Sequence, residues 1–496
     1  MGIFDFLSGS KPKKEKRHFK RSYAAANTGR LFSDFGASER SADSEIKPVL
    51  RLMRSRSRDL ARNNEYVKGY LDILKTNVVG DKGFSLQVKA LDSTGMLDQN
   101  GNQLIEAAWY DWCRMGNCTV DGGRSFVDLQ KLVISSVARD GECILIKHRG
   151  KTFKHTVSFQ VLESDQLDLE KSERLPDGNE VRMGVELDKY KKPIAYYFLN
   201  YHPGDYDFTS QSVSKKHTRV LAENVIHIYD PLRAGQTRGE PWICSAIPAL
   251  KQLSAYREAA VINARIGASK MGFFTSPAGD GYVADDLDDQ NVPSMEVEPG
   301  LFQQLPKGME FSQFDPTYPN NEFDGFHKSV LKGIATGLGV SYVTLSNDLE
   351  STSYSSIRQG TLVERDSFRS MQQFMIDHFV MRVYEIWLGS AMEMGEISLP
   401  LRTYDKFYSA SSFRGRGWSW VDPLKEMNAA VKGLQHGILS IQGVAAQYGM
   451  DAEELMAEIQ RDNALAEQFG VKYAFQPFGA KMMPVEAEIT GDNGDD

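Results

Sequence analysis

The chain is poor in cysteine and has no long apolar run, and each shortage excludes a class of protein. Its four cysteines, Cys113, Cys118, Cys143 and Cys244, have no CxxC spacing and no paired histidine cluster. They read as free thiols in a reducing compartment rather than as a disulfide frame or a zinc site. No stretch of about 18 apolar residues occurs, so no membrane-spanning helix and no membrane partner are expected. Residues 1–10 begin apolar but lack an h-region, and Phe6 stands where a myristoylation signal starting at Gly2 wants Ser or Thr. A product of cytoplasmic synthesis is expected.

Catalytic signatures are missing too. Gly150-Lys151-Thr152 supplies the second half of a Walker A loop, but Leu145 occupies the position of its first glycine, so the phosphate cradle fails. No GxSxG elbow occurs, and Ser329-Val-Leu-Lys332 matches SxxK only over four residues and reads as one face of a helix. The nine histidines include no HExxH. Asp285, Asp286, Asp288 and Asp289 offer the oxygen ligands a hard cation takes, yet lack the alternating spacing and glycine of an EF-hand, and read as a solvated acidic loop. No catalytic residue, cofactor or metal ion is expected, and the chain is not read as an enzyme.

What is present is globular: 496 residues, 41% hydrophobic and 25% charged, enough for about three domains of roughly 150 residues. The net charge of −8 is uneven. Residues 1–62 hold 15 Lys/Arg against 7 Asp/Glu, a net of +8, which leaves −16 for the remainder. Such a body is unlike a protein that gains affinity by coating DNA phosphates, although it can handle DNA without gripping it.

Lys11, Lys13, Lys14, Lys16, Arg17, Lys20 and Arg21 form a basic block in a stretch with little periodic apolar content, which reads as a disordered arm. From Ser44, Ile46, Leu50, Met53 and Leu60 fall near helical spacing with Arg51, Arg54, Arg56, Arg58 and Arg62 between them, a basic face that is solvated or paired with acidic neighbours. Further helices are marked by Val67, Tyr70, Leu71 and Leu74 and by Leu104 to Trp112. A capping box at Ser125 and Asp128 starts another, which stops at Asp140-Gly141. Apolar runs over 143–146, 157–162, 181–187, 194–199 and 225–229, separated by turn signals, predict strands of a mainly antiparallel sheet. Ser245 is placed to cap a helix over 246–270, with Pro248 in its first turn. Short strands at 300–305 and 309–314, a helix over 322–337 and a helix of about 35 residues over 355–392 follow. Asp422-Pro423 starts more helix, Asp451 with Glu454 makes a second capping signal, and residues 486–496 read as an acidic disordered tail. The class is α+β.

Several stretches resemble the lambda-type portal protein family of tailed bacteriophages. They are Arg56-Ser-Arg-Asp-Leu-Ala-Arg-Asn-Asn64, Asn77-Val-Val-Gly80, Asp140-Gly-Glu142, Gly235-Gln-Thr-Arg-Gly-Glu-Pro-Trp242, Gly333-Ile-Ala-Thr-Gly-Leu-Gly-Val-Ser-Tyr342, Tyr354-Ser-Ser356 and Trp418-Ser-Trp-Val-Asp-Pro423. Their order and spacing, spread from about residue 40 to 470, carry the resemblance. It implies the portal fold assembled as a ring, a dodecamer, at one capsid vertex of the virion, built in the host cytoplasm. In that plan 36–245 is the wing, 246–270 a stem helix, 271–320 the clip and 321–338 the second stem helix. Residues 346–355 form the tunnel loop, 356–422 the long kinked helix and wing return and 423–480 the crown, while the basic flexible arm at 1–35 and the acidic disordered tail at 481–496 are read from composition and carry no resemblance.

The implied function is a channel for packaging and ejecting double-stranded DNA without sequence specificity. It docks the terminase and then head-completion and tail adaptor proteins, and meets the major capsid protein and scaffold. A head-tail adaptor or basal ring is the alternative, and a DNA-acting enzyme such as a terminase or nuclease a more distant one. Lys328, Lys332, Asn347, Asp348, Ser351, Thr352 and Ser353 become candidates for the DNA channel. Asp285, Asp286, Asp288 and Asp289 become candidates for terminase or adaptor docking, and Arg238 and Trp242 for intersubunit or structural contacts.

Overall fold

The computed structural model describes residues 30, 36, 39–150, 154–205, 217–268, 272–275, 310–313, 322–350, 353–418, 422–448 and 450–470. Most of the basic arm, the strand expected at 300–305, the four aspartates Asp285, Asp286, Asp288 and Asp289, residues Ser351 and Thr352, and the acidic tail lie outside the described residues.

Local caps set the first helices. Ser41 accepts from the Ser44 amide to start α1 (Ala42–Ile46), and α2 (Leu50–Asn63) follows. Asn64, extended at the end of α2, starts α3 (Glu65–Leu74) by accepting from the Tyr66 and Val67 amides. The helix α3 runs into a π turn, Lys75–Val79, closed by Gly80 at φ 79°. After β1 (Ser85–Val88) come α4 (Gln99–Trp112), capped by Asp98, and α5 (Phe126–Asp140). Ser125 and Asp128 make the full capping box at the start of α5, and Gly141 at φ 89° ends it.

The strands β2 (Glu142–Arg149), β3 (Val157–Leu162), β4 (Glu173–Arg174), β5 (Glu180–Arg182), β6 (Val185–Leu187), β7 (Pro193–Leu199), β8 (His217–Leu221) and β9 (Val225–Tyr229) follow. They form two antiparallel sheets, ordered β3-β2-β9 and β4-β5-β6-β7-β8. The single strand expected over 181–187 is instead a hairpin. Met183 (φ 46°) and Gly184 (φ 84°) stand between the paired residues Arg182 and Val185. Positive φ at both turn residues matches the twist of the flanking strands. A Cβ on Gly184 would lie 2.7 Å from the Asp168 carbonyl oxygen.

A 3-10 turn, Cys244–Ala246, leads into α6 (Ile247–Ala268). Ser245 does not cap it: its hydroxyl donates to the Gly337 carbonyl at 3.1 Å. That bond ties the start of α6 to the end of the returning helix, α7 (Glu322–Leu338), past the β10 (Gly272–Thr275) and β11 (Glu310–Gln313) pair. A one-turn helix, α8 (Tyr342–Ser346), precedes α9 (Tyr354–Met375). The long helix expected over 355–392 is α9, a π turn at Ile376–Val380 and α10 (Met381–Glu393). The extra residue of a π turn re-aims the side chains on either side of it. Then come α11 (Tyr404–Ser409), β12 (Ser411–Arg414) antiparallel to β1, α12 (Pro423–Gln435), α13 (Ile441–Gln447) and α14 (Ala452–Phe469).

The main core is aromatic. Trp109 packs on Trp112, Phe126, Tyr384, Trp387 and Phe413 with ring centroids 5.0 to 5.7 Å apart, so α4, α5, α10 and β12 converge on one side chain. Rings of this size each bury about 150–250 Å² and prefer such offset and edge-on contacts. The four thiols are free. Burial pushes Cys118, Cys143 and Cys244 up to about 12, which keeps them unreactive near neutral pH.

Candidate functional site

The described candidate channel residues, Lys328, Lys332, Asn347, Asp348 and Ser353, lie on α7 and on the segment that leads through α8 to α9. Lys328 and Lys332 lie one turn apart on α7. The Lys328 ammonium is 3.0 Å from Asp324 and 3.3 Å from Asp348, and those hydrogen-bonded carboxylates raise its pKa above the ordinary lysine value. Tyr342 donates its hydroxyl to Asp348 at 2.8 Å, which with the Lys328 contact holds that carboxyl below the usual carboxylate range. Lys332 is exposed and its ammonium stands 5.6 Å over the Tyr342 ring. Asn347 is exposed at φ 56°, and Ser353 caps α9 by accepting from the Ser356 amide. Glu364 of α9 holds the other side, accepting from the Ser341 amide at 2.8 Å and the Thr344 hydroxyl at 2.7 Å. Lys328 and Asp348 therefore sit together, and the segment between α7 and α9 is fastened to both helices.

A second assembly is built around the loop that enters α6. Arg238 is 0% exposed, and its guanidinium meets both Glu142 oxygens at 2.6 to 3.0 Å and donates to the carbonyls of Ser164, Leu167 and Met183. Arg54, 2% exposed, meets the same carboxylate at 2.8 Å and donates to the Asp140 carbonyl. His227 Nε2 lies 3.1 Å from Glu142, and the Gly239 amide donates to it at 3.0 Å. Burial opposes the charge on Glu142, but Arg238 and Arg54 outweigh it and hold the carboxyl well below its ordinary value. Burial lowers His227, so its ring stays neutral. Arg58 adds contacts to Asp140 (2.7 Å) and Asp165 (2.5 Å).

Two glycines let these groups meet. A Cβ on Gly141 would lie 2.4 Å from the Glu240 carbonyl carbon, and one on Gly239 would strike the Gly141 carbonyl oxygen. Trp242 continues the joint: its amide donates to the Ala138 carbonyl and its ring stands 6.1 Å from Phe374 of α9. Arg238 thus spends its donors inside the chain. Sequence reasoning singled out Arg238 but did not join it to Glu142, Arg54 or His227. The signal was present in the resembling stretches, which contain Asp140-Gly-Glu142 and Thr237-Arg-Gly239.

Among the described residues Glu163, Asp165 and His202 could hold a metal ion by proximity. The Gly204 amide donates to His202 Nδ1 at 3.1 Å, which puts the ring proton on Nε2, 2.9 Å from Glu163. A protonated Nε2 has no lone pair for a cation, and Asp165 is already engaged by Arg58.

The family model described as phage portal protein, lambda family, matches residues 28–372. The probable portal protein of Halomonas phage phiHAP-1 is 32% identical over 478 residues, covering 95% of this chain and 91% of that protein. Portal protein B of Escherichia phage lambda is 22% identical over 470 residues, covering 87% of each. Among solved structures, the neck of an empty GTA particle has a TM-score of 0.49 at 13% identity, covering 85% of this chain and 99% of that one. On the extent of the family match and the identity to the Halomonas phage relative, the chain belongs to the lambda family of phage portal proteins.

Proposed function

We propose that copies of this chain form the portal of a phage particle, a ring of about twelve at one capsid vertex through which duplex DNA enters during packaging and leaves at ejection. The observation that carries the reading is the family match over most of the chain. The ring docks a terminase, which supplies ATP hydrolysis, and later a head-completion or tail adaptor protein. The chain itself makes and breaks no bond.

The charge pattern supports a conduit of this kind. Each fixed cation on phosphate adds counterion-release affinity and slows sliding. Beside α7 the cation Lys328 is flanked by Asp324 and Asp348, so the lumen there offers hydrogen bonds and a compensated charge rather than a grip. Residues 346–355 act as the tunnel loop. The docking role of Asp285, Asp286, Asp288 and Asp289 belongs to the same reading.

The test is genetic. A phage carrying a stop codon early in this gene should give heads without packaged DNA, and the full chain supplied in trans should restore filled heads. DNA-filled heads in the absence of the chain would overturn the proposal.

A further inference from the structure

The chain carries two surfaces that complement each other and that no other element covers among the described residues. The first is a basic socket. Trp418 is approached by the guanidinium groups of Arg365, Arg369 and Arg416, 5.6 to 5.9 Å from its ring. Beside it lies a cavity of about 650 Å³ between α9, the end of β12 and α13, with Arg369, Arg414 and Arg416 on its wall and Ile376, Phe413 and Ala446 as apolar lining. The carboxylates facing these arginines are Asp366, which pairs with Arg369 in an exposed i,i+3 contact, Asp451, 3.6 Å from Arg414, and Glu426, whose charge acts on Arg365, while Arg416 donates to the Thr76 carbonyl. The exposed Asp366 and Arg369 pair contributes little and is readily exchanged.

The second surface is α14. It carries Glu453, Glu454, Glu458, Asp462 and Glu467 against Arg461, a net of −4. Glu458, Asp462 and Glu467 have no ion pair among the described residues, and Met456, Ile459, Leu465 and Phe469 are exposed, Phe469 at 72%. A soluble helix that leaves several large apolar side chains in water marks an interaction site.

We propose that the acidic, apolar helix α14 of one copy seats in the Trp418 socket of the next, which deepens the ring reading above by naming one of its contacts. Plug and socket are different surfaces of the same chain, so the contact is head-to-tail, the kind that closes a ring when the rotation allows. Charge complementarity selects α14 as occupant. A DNA backbone would satisfy the arginines but would cover neither the apolar wall of the cavity nor Met456, Ile459, Leu465 and Phe469.

The test is the association state of the purified full chain by analytical ultracentrifugation, with thermal melts as a folding control. L465S with F469S changes exposed side chains, so the fold should survive while association weakens about tenfold or more. R365E with R369E, and separately E458K with D462K, should each weaken it similarly. Combining the two charge sets should recover most of the loss, which a merely unfolded variant would not do. Wild-type association in all three variants, or no recovery in the combination, overturns the inference. So does a variant in which R365E with R369E keeps its rings but loses salt-dependent binding to a short DNA duplex, since the socket then takes DNA. A wild-type chain that never associates counts instead against the portal reading.

Discussion

Arg238 shows how far one side chain can determine a joint. Its guanidinium and that of Arg54 compensate a carboxylate that is itself fully buried. Removing one member of such a set leaves an uncompensated charge, so Arg238→Met should cost about 3–5 kcal/mol in chemical denaturation. A loss below about 1 kcal/mol would show that Glu142 finds other compensation. The same site sets a pH response. His227 is held neutral in the fold while an unfolded histidine protonates near about pH 6.5, so stability falls as pH drops through that value. Glu142 adds a second loss only below about pH 4, where the unfolded carboxyl takes its proton and the native one resists. Melting curves at pH 5, 6 and 7 should therefore show a flatter acid slope for His227→Gln than for the wild type. At the channel candidates, Asp348→Asn leaves Lys328 with Asp324 alone. Binding of a DNA duplex should then tighten, with a steeper salt dependence, by up to about 0.9 in log–log slope for each phosphate newly contacted. The residue roles were only partly legible in sequence. Arg54 looked like one of several arginines on a helix face, and nothing in its spacing distinguishes it from Arg51, which pairs with Glu170 at the surface.

Elements were read best where a local signal decides them. The Ser125 and Asp128 box and the strands β3 and β9 come from short patterns that tertiary packing did not override. Features that depend on distant partners were hidden. The β1 and β12 pair joins segments more than 320 residues apart, and each is only four residues long. Both π turns lie inside continuous helical periodicity, because a one-residue insertion leaves the apolar pattern nearly intact. Met183 in a turn at positive φ is opposed by its own side-chain preference, and the buried contacts of the hairpin decide it. The close approach of Gly141 and Gly239 gives an element-scale prediction. Gly239→Ala should prevent α5, β2 and the loop before α6 from meeting, giving insoluble or protease-sensitive protein, whereas Gly333→Ala, which meets open space within a helix, should be tolerated. Trp109→Ala, at the crossing of α4, α5, α10 and β12, should cost about 3–5 kcal/mol by the same denaturation assay.

At the scale of the whole molecule, the basic N-terminal region and the acidic remainder have separate parts in the account. On the proposed reading, the −16 body suits a conduit that avoids holding phosphate, and Lys328, compensated by Asp324 and Asp348, fits the same logic locally. The joint around Glu142 ties the sheets, α2 and α5 to the loop entering α6, while Ser245 and Gly337 fasten α6 to α7 at the same end. A subunit braced in this way can transmit load between the α6 and α7 pair and the sheets. The most direct measurement is imaging of the purified full-length chain by negative-stain electron microscopy together with its native mass. Closed rings of about twelve copies around a hole wide enough for duplex DNA are predicted, and a strict monomer at every concentration and ionic strength would contradict the account.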